Sequence, residues 1–390
     1  MKKNIRLYLI ATMLGFQTMF AAETIDSVQN KEISDNKKLT FATRIQARAA
    51  AGQVNSAYAS NNDWDAVDFN FYQIRMGLNY QGAKWYGMKV DIKAENLLTS
   101  GAASKSSIQE ANIWFKPGFW NSTIKFGQFK LPFNREQNTS SARLMVPERA
   151  LSTVNTLQQQ DIGVFWSFMP FGNIFEFSLA VTNGDGSGQE GEGLKSVEAS
   201  TAGEKTSPLY ALRLQWNPFG GMIQNGTDVG WINGVEIFQN SRLLSIGVGA
   251  IYTENNEREN GGFVTNKELS GVSADATFFI KGFYSNAEYT IFAGPSAPKN
   301  YQSFAVSIGY NIKLSNVFLM PMLRYNYLES DIGNDGTIDD NEKLTDIWLG
   351  LNYYPDKHNM KMQLFYRLRQ DGSGVDIGKD ELTLQVQVDL

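Results

Sequence analysis

The segment YGMKVDIKAE (86–95) alternates apolar and polar side chains residue by residue. Successive side chains of an extended chain point to opposite sides, so this alternation puts one apolar and one polar face on a single strand. The segments SFAVSIGYNIK (303–313) and ELTLQVQVDL (381–390) repeat the pattern. A period of two over about ten residues predicts β-strands that are dry on one face and wet on the other.

From Leu39 onward, sixteen segments fit this pattern. They are 39–50, 67–80, 84–97, 107–116, 121–130, 160–168, 174–183, 208–217, 242–253, 269–280, 282–293, 301–313, 317–328, 344–354, 359–369 and 379–390. We leave out the stretch 229–239 because the joins then alternate between short and long, although the long join 218–241 departs from that alternation. An even strand count with short turns at one end predicts an all-β fold, a 16-stranded antiparallel transmembrane β-barrel.

Aromatic residues gather at the short joins. Trp85 and Tyr86 flank one of them, and Phe119 and Trp120 lie in the next. Amphipathic rings prefer the boundary between membrane and water, so this placement predicts an aromatic girdle at the periplasmic end of the barrel. A soluble β-sandwich also holds aromatic residues, but it does not explain their repeated position at the turns.

The composition excludes several functional classes. The 390 residues include no Cys and a single His, His358, so thiol nucleophiles and Cys-ligated metals are excluded. We expect His358 to be exposed in a short turn, which is a poor place for a catalytic base, and we expect no enzymatic activity. The formal net charge of −5 argues against a nucleic-acid partner.

The first 22 residues predict a secretory signal peptide. Lys2, Lys3 and Arg6 precede an apolar run, Leu7 to Phe20, that is shorter than the roughly 20 residues a transmembrane helix needs. We expect cleavage near Ala22, a polar N-terminal segment at 23–38 and the barrel at 39–390. This arrangement predicts export to the outer membrane of a Gram-negative bacterium.

The charged face of each strand must line the interior, because the other face meets lipid and has to be apolar. Closing the barrel places the last strands beside the first. Eight basic residues then share one arc of the inner wall, which we call the basic arc: Arg44, Arg48, Arg75, Lys89, Lys93, Lys361, Arg367 and Arg369. Such an arc favours small anionic solutes in a water-filled channel, although a roughly balanced set of solvated charges would give weak selectivity.

The run GQFKLPFNREQNTSSARLMVPERAL (127–151), followed by DIGVFW (161–166), resembles the signature of the phosphate/polyphosphate-selective porins, porin O and P. The resemblance implies a homotrimeric porin whose third loop, 131–159, folds inward and forms a constriction. The constriction and anion-binding candidates that it implies are Lys125, Lys130, Arg135, Arg143 and Arg149. Two positions depart from the family pattern: Gln160 replaces a common Arg, which weakens the case for phosphate, and the chain ends in Leu390 instead of an aromatic residue.

A competing interpretation is a surface receptor or adhesin barrel whose pore is plugged by the third loop. The loop DIGNDGTIDDNE (331–342) approximates the spacing of a calcium-binding loop, with Asp331, Asp335, Asp339 and Glu342 as candidate ligands of a structural Ca²⁺. A solvated acidic loop is the favoured alternative, because Gly333 occupies a ligand position and no flanking helices are expected. We expect no other cofactor. The remaining expected partners are outer-membrane lipid and lipopolysaccharide.

Overall fold

The computed structural model describes residues 37–52, 66–95, 108–151, 160–183, 208–219, 242–254, 257–259, 262–264, 268–293, 300–330, 343–371 and 380–390. Within these ranges, no helix is long and apolar enough to cross a membrane. The predicted signal peptide, the acidic loop 331–342 and the stretch 229–239 lie outside the described residues.

The described residues form sixteen barrel strands. They are β1 Lys38–Gly52, β2 Ala66–Ala83, β3 Tyr86–Lys93, β4 Ile108–Phe115, β5 Thr123–Lys130, β6 Gln160–Phe168, β7 Phe175–Thr182, β8 Leu209–Trp216, β9 Leu243–Glu254, β10 Glu268–Ile280, β11 Phe283–Ala293, β12 Asn300–Tyr310, β13 Val317–Ser330, β14 Lys343–Asp356, β15 Met360–Asp371 and β16 Glu381–Asp389. All sixteen predicted segments are confirmed.

Each strand pairs antiparallel with its neighbours in sequence, and β1 pairs with both β2 and β16. The closing register runs from Arg44 opposite Asp389 to Gly52 opposite Glu381. The sheet is therefore a closed barrel, which leaves no unpaired edge. Shorter elements complete the described fold: the strand Ile312–Leu314, which follows β12, a hairpin of Glu257–Glu259 with Gly262–Val264, the helix α1 Arg135–Asn138, and 3-10 turns at Ser141–Arg143 and Gly172–Ile174.

The barrel has an apolar outer face and a polar inner face. In β8, Tyr210, Leu212 and Leu214 are exposed, whereas the alternate residues Arg213 and Gln215 are buried. This order is the reverse of a soluble protein, in which apolar side chains are buried. It matches a wall whose outer face meets lipid, as the period-two pattern predicted.

The short turns hold the predicted aromatic clusters. The ring of Trp85 lies 4.6 Å from that of Tyr86, and the ring of Trp120 lies 5.8 Å from that of Phe168, both as centroid distances. Lys281 and Gly282 form a two-residue turn between β10 and β11 with φ angles of 49° and 88°. Positive φ at both central residues defines the type I′ turn, whose twist suits tight hairpins, and Gly282 adopts it without steric cost.

The prediction of an exposed His358 is wrong. His358 lies in the turn between β14 and β15 but is fully buried, with its ring 5.4 Å from that of Tyr354 between centroids. Its backbone carbonyl accepts a hydrogen bond of 2.7 Å from the Gln387 side chain. The turn is therefore covered by the Tyr354 ring and by Gln387 of β16, a packing that the local sequence does not reveal.

Candidate functional site

The described part of the third loop, 131–151, is largely buried and is bound to strands around the barrel. Its side-chain and backbone groups form hydrogen bonds with Arg44 and Gln46 of β1, Gln73 of β2, Arg213 of β8, Thr277 of β10, Glu288 of β11, Arg324 of β13, Asn352 of β14, Lys361 of β15 and Gln387 of β16. These residues belong to the polar face of their strands. The described part of the loop is therefore held by polar side chains of many strands.

Local contacts define the shape of this loop before it reaches the wall. The Asn134 side chain caps α1 by accepting a 3.0 Å hydrogen bond from the Gln137 amide, a typical N-cap contact. The Arg149 guanidinium donates to the backbone carbonyls of Glu136 and, at 2.8 Å, of Thr139. The Glu136 carboxylate in turn accepts from the Ala150 amide. These contacts tie residues 149–150 to residues 136–139 within the loop.

One side of the loop is anchored on β8, β9 and β11. Arg213 Nη1 donates a 2.9 Å hydrogen bond to the Phe133 carbonyl, and the ring of Phe133 packs 5.4 Å from that of Phe292. The loop backbone touches the wall at Gly249, where an added Cβ would overlap the Phe133 carbonyl. A residue without a side chain at this point lets the two backbones approach closely.

The opposite side of the loop is anchored on β14, β15 and β16. Lys361 is fully buried and donates a 2.7 Å hydrogen bond to the Leu144 carbonyl, while Asn352 donates at 2.8 Å to the carbonyl of Met145. Met145 and Val146 pack into an apolar cluster with residues of the wall, namely Leu243, Phe279, Tyr284, Met320, Met322, Trp348, Tyr354 and Phe365. Polar and apolar contacts together fix this half of the loop.

The five constriction candidates do not lie in one place. Lys125 Nζ lies over the Phe165 ring, 4.9 Å from its centroid, and Lys130 donates at 3.4 Å to the Asn138 carbonyl. Arg149 braces the loop, as described above. Arg135 and Arg143 line one recess, whereas Lys125 and Lys130 both lie near the carboxylate of Glu110.

Arg135 and Arg143 line a recess that also includes Arg324. The other lining residues are Glu136, Thr139, Leu144, Met145, Tyr284 and Asn286. Arg324 pairs with Glu136, and Arg135 donates a 2.7 Å hydrogen bond to Thr277. Burial lowers the pKa of Arg135 to about 10, which still leaves its guanidinium charged at neutral pH. The recess lining therefore has three positive groups and one carboxylate, an excess that attracts anions.

The eight residues of the basic arc belong to strands that are consecutive in the closed sheet, from β15 through β16 and β1 to β3. Most of them face a carboxylate. The ion pairs are Arg44–Asp389 at 3.3 Å, Arg48–Glu148 at 2.6 Å, Arg75–Glu95 at 3.3 Å, Lys89–Glu110 at 3.1 Å, Arg367–Glu381 at 2.8 Å and Arg369–Asp346 at 2.5 Å. Lys361 binds the loop, and Lys93 is half-buried on β3. Paired charges give a weaker field than the arc alone suggests.

Sequence reasoning did not single out Arg324, Glu148 or the Arg213–Asp275 pair as site residues. Arg213 and Asp275 both fall on the polar face by period two, but their strands are separated by β9. The pair forms because β9 carries Gly247 at the point between them, where an added Cβ would lie 2.8 Å from Asp275 Oδ1. In the sequence, this pair could have been predicted from the inward-facing Gly247, which leaves room for two charged side chains on the flanking strands to meet.

The candidate calcium ligands Asp331, Asp335, Asp339 and Glu342 lie outside the described residues. Among the residues that are described, no group of three or more His, Cys, Asp or Glu side chains is placed to hold a metal ion.

Comparison with known proteins gives the same fold. The solved structures that this chain resembles include trimeric OmpT of Vibrio cholerae (TM-score 0.56, 10% identity, 91% of this chain and 100% of that one). They also include OprB of Pseudomonas putida (TM-score 0.56, 11% identity, 95% and 97%) and an anion-selective porin of Comamonas acidovorans (TM-score 0.53, 10% identity, 90% and 99%).

Sequence comparison identifies the family. An uncharacterised protein of Aquifex aeolicus strain VF5 is 23% identical over 375 residues, which cover 89% of this chain and 85% of the relative. The profile of the phosphate-selective porin O and P family matches residues 41–388, nearly the whole barrel. The chain therefore belongs to the phosphate-selective porin O and P family and is an outer-membrane porin.

Proposed function

We propose that this porin is a water-filled channel for the passive diffusion of small solutes, with a preference for anions such as phosphate. The observation that carries the proposal is the recess lined by Arg135, Arg143 and Arg324 on the wall and loop of a closed barrel. Three guanidinium groups against one carboxylate concentrate anions at this point, and rings of positive side chains select anions in pores.

The third loop forms the constriction in this proposal. Its inward folding is supported by hydrogen bonds to side chains of strands as far apart as β1, β8 and β15. Charges are paired in both regions, since Arg324 and Arg135 of the recess also face Glu136 and Asp275. We assign the selectivity mainly to the recess because three guanidinium groups line it beside a single carboxylate. Arg suits phosphate better than Lys, since the planar guanidinium donates two parallel hydrogen bonds to an oxyanion.

The membrane context follows from the family and the fold. We propose export after removal of residues 1–22, insertion into the outer membrane of a Gram-negative bacterium, and assembly as a homotrimer. The similarity to the trimeric OmpT structure supports the last point. The girdle of rings at the short turns would then lie at the periplasmic boundary of the bilayer.

Planar-bilayer recording of the purified protein tests the proposal. In a potassium chloride gradient we expect stepwise openings whose reversal potential is shifted toward the chloride equilibrium potential, and a reduction of the chloride current by added phosphate. Cation-selective openings would remove the anion preference. If correctly folded protein showed no channel openings, the competing interpretation would be favoured, namely a receptor or adhesin barrel plugged by the third loop. The many contacts between the loop and the wall also fit that interpretation.

A further inference from the structure

The Glu148 carboxylate of the third loop lies among three arginines of the basic arc, which form the cluster Arg48, Arg367 and Arg369. Its Oε1 accepts a 2.6 Å contact from Arg48 Nη1, and its Oε2 lies 3.3 Å from Arg367 Nη1. Arg48 belongs to β1 and Arg367 to β15, with β16 between them. One carboxylate therefore bridges two guanidinium groups that the wall holds apart.

The two arginines are held by the wall, independently of Glu148. The Arg48 guanidinium stacks 3.8 Å from the centroid of the Tyr72 ring and donates at 3.0 Å to Gln385. Arg367 lies 5.0 Å from the Trp348 ring and pairs at 2.8 Å with Glu381. Stacking and hydrogen bonds to fixed strands pre-organise both donors, so that the site persists when its occupant leaves.

Glu148 differs from the other carboxylates of the cluster in where it comes from. It belongs to the third loop, whereas Glu381 and Asp346 belong to strands, and its side chain is 28% exposed, against 21% for Glu381 and 2% for Asp346. Its backbone carbonyl is held separately, by a 2.8 Å hydrogen bond from Arg324 Nη1. The carboxylate can therefore leave by a change of side-chain rotamer while the loop backbone stays in place.

The charges of the cluster balance only while Glu148 is bound. Arg48, Arg367 and Arg369 face three carboxylates, those of Glu148, Glu381 and Asp346. Rotation of Glu148 out of the cluster leaves three positive groups against two negative ones. The freed donors are two guanidinium N–H groups that bridge one anion, a geometry suited to an oxyanion with two acceptor oxygens.

We propose that Arg48 and Arg367 form a binding site for small oxyanions, and that the Glu148 carboxylate occupies this site as a tethered anion which a permeating oxyanion displaces. This inference rests on the proposed function. The site is a second anion site, separate from the recess. Glu148 acts there as an internal competitor: it lowers the affinity of the site for the anion and so speeds release of the bound anion.

The test compares Glu148→Gln with wild type by phosphate block of the chloride current and by calorimetric titration of the detergent-solubilised protein with phosphate. Gln keeps the size of the side chain and removes its charge. We expect the half-blocking phosphate concentration and the dissociation constant to fall about tenfold, as expected when a charge-assisted hydrogen bond becomes available to the ligand. Adding Arg48→Gln to this variant should abolish the gain.

Glu95→Gln is the matched control, because Glu95 also pairs with an arc arginine, Arg75 at 3.3 Å, but does not touch the site. Equal tightening in both Gln variants would overturn the proposal, since the effect would then come from overall charge. Unchanged phosphate affinity in Glu148→Gln would also overturn it, while anion-selective wild-type current would leave the proposed function standing. Tighter calorimetric binding confined to Glu148→Gln, in a protein without anion-selective current, would support the site and refute the proposed function.

Discussion

The Arg213 guanidinium forms a two-point ion pair with the Asp275 carboxylate, with Nη1–Oδ2 at 2.7 Å and Nη2–Oδ1 at 2.9 Å. The same Nη1 holds the carbonyl of Phe133 in the third loop. Asp275 also lies 3.7 Å from Arg135 Nε in α1. A single carboxylate on β10 therefore organises one arginine of the wall and one of the loop, and it anchors the loop at both.

Asp275→Asn should weaken this anchor strongly. The substitution leaves two buried guanidinium groups with one charge fewer between them, and removing one partner of a buried ion pair typically costs about 3–5 kcal/mol. We expect a corresponding loss in the free energy of unfolding, measured by urea titration in lipid with tryptophan fluorescence, and noisier single-channel openings. Asp356→Asn, at the exposed end of β14, is the control and should change stability little. Equal stabilities of the two variants would show that Asp275 anchors nothing.

Gly249→Ala should displace the third loop without unfolding the barrel. The added Cβ would overlap the Phe133 carbonyl, so the loop backbone must move away from β9. We expect a changed single-channel conductance with normal β-structure by circular dichroism. Gly77→Ala is the matched control, because its Cβ would meet the nearest atom, Ala42 Cβ, at an ordinary 3.6 Å. Identical conductance in both variants would contradict the close approach of loop and wall.

Arg143→Ala should reduce the anion preference. Two charges at 4 Å in water interact by about 1 kcal/mol, so we expect the ratio of anion to cation permeability to fall by roughly two- to fivefold. The reversal potential in a salt gradient measures this ratio. Lys357→Ala removes the same charge from an exposed turn and should leave the ratio unchanged. If both variants keep the wild-type ratio, the recess does not select ions.

Arg149→Ala should change the conformation of the third loop more than the electrostatic potential in the channel. Its guanidinium is bound to the carbonyls of Glu136 and Thr139, and its loss removes this link between two segments of the loop. We expect increased current noise and faster proteolysis of the third loop, with Arg143→Ala as the comparison. A selectivity change without increased noise or proteolysis would instead place Arg149 among the groups that select ions.

His358 should make the barrel less stable in mild acid. Burial, with the nearby charges of Lys361 and Arg143, lowers its pKa well below the ordinary 6.5. The unfolded chain then binds a proton near pH 6.5 that the folded chain rejects, so the free energy of unfolding declines as the pH falls from about 6.5 toward the lowered pKa. Urea unfolding across this range should show a smaller decline for His358→Phe. The same pH dependence in both proteins would exclude His358 as its source.

Strand positions, wall faces and aromatic clusters at the short turns could be predicted from the sequence, because each depends on a local pattern. The alternation of apolar and polar residues in 86–95 and 381–390 predicts one apolar and one polar face, whatever the position of the strand in the barrel. A turn such as Lys281–Gly282 can be predicted from the short gap between two strand segments. The adjacency of the first and last strands followed from closure alone.

Only the tertiary structure decided which charges meet. Arg213 reaches Asp275 across a strand that carries glycine, Glu148 reaches Arg48 and Arg367 because the loop runs past β1 and β15, and His358 is buried because β16 packs over its turn. These contacts join residues that are 29 to 219 positions apart in the sequence, and their partners depend on the path of the loop. Periodicity assigns each charge to the inner face, whereas packing determines whether that charge is paired, buried or available to an anion.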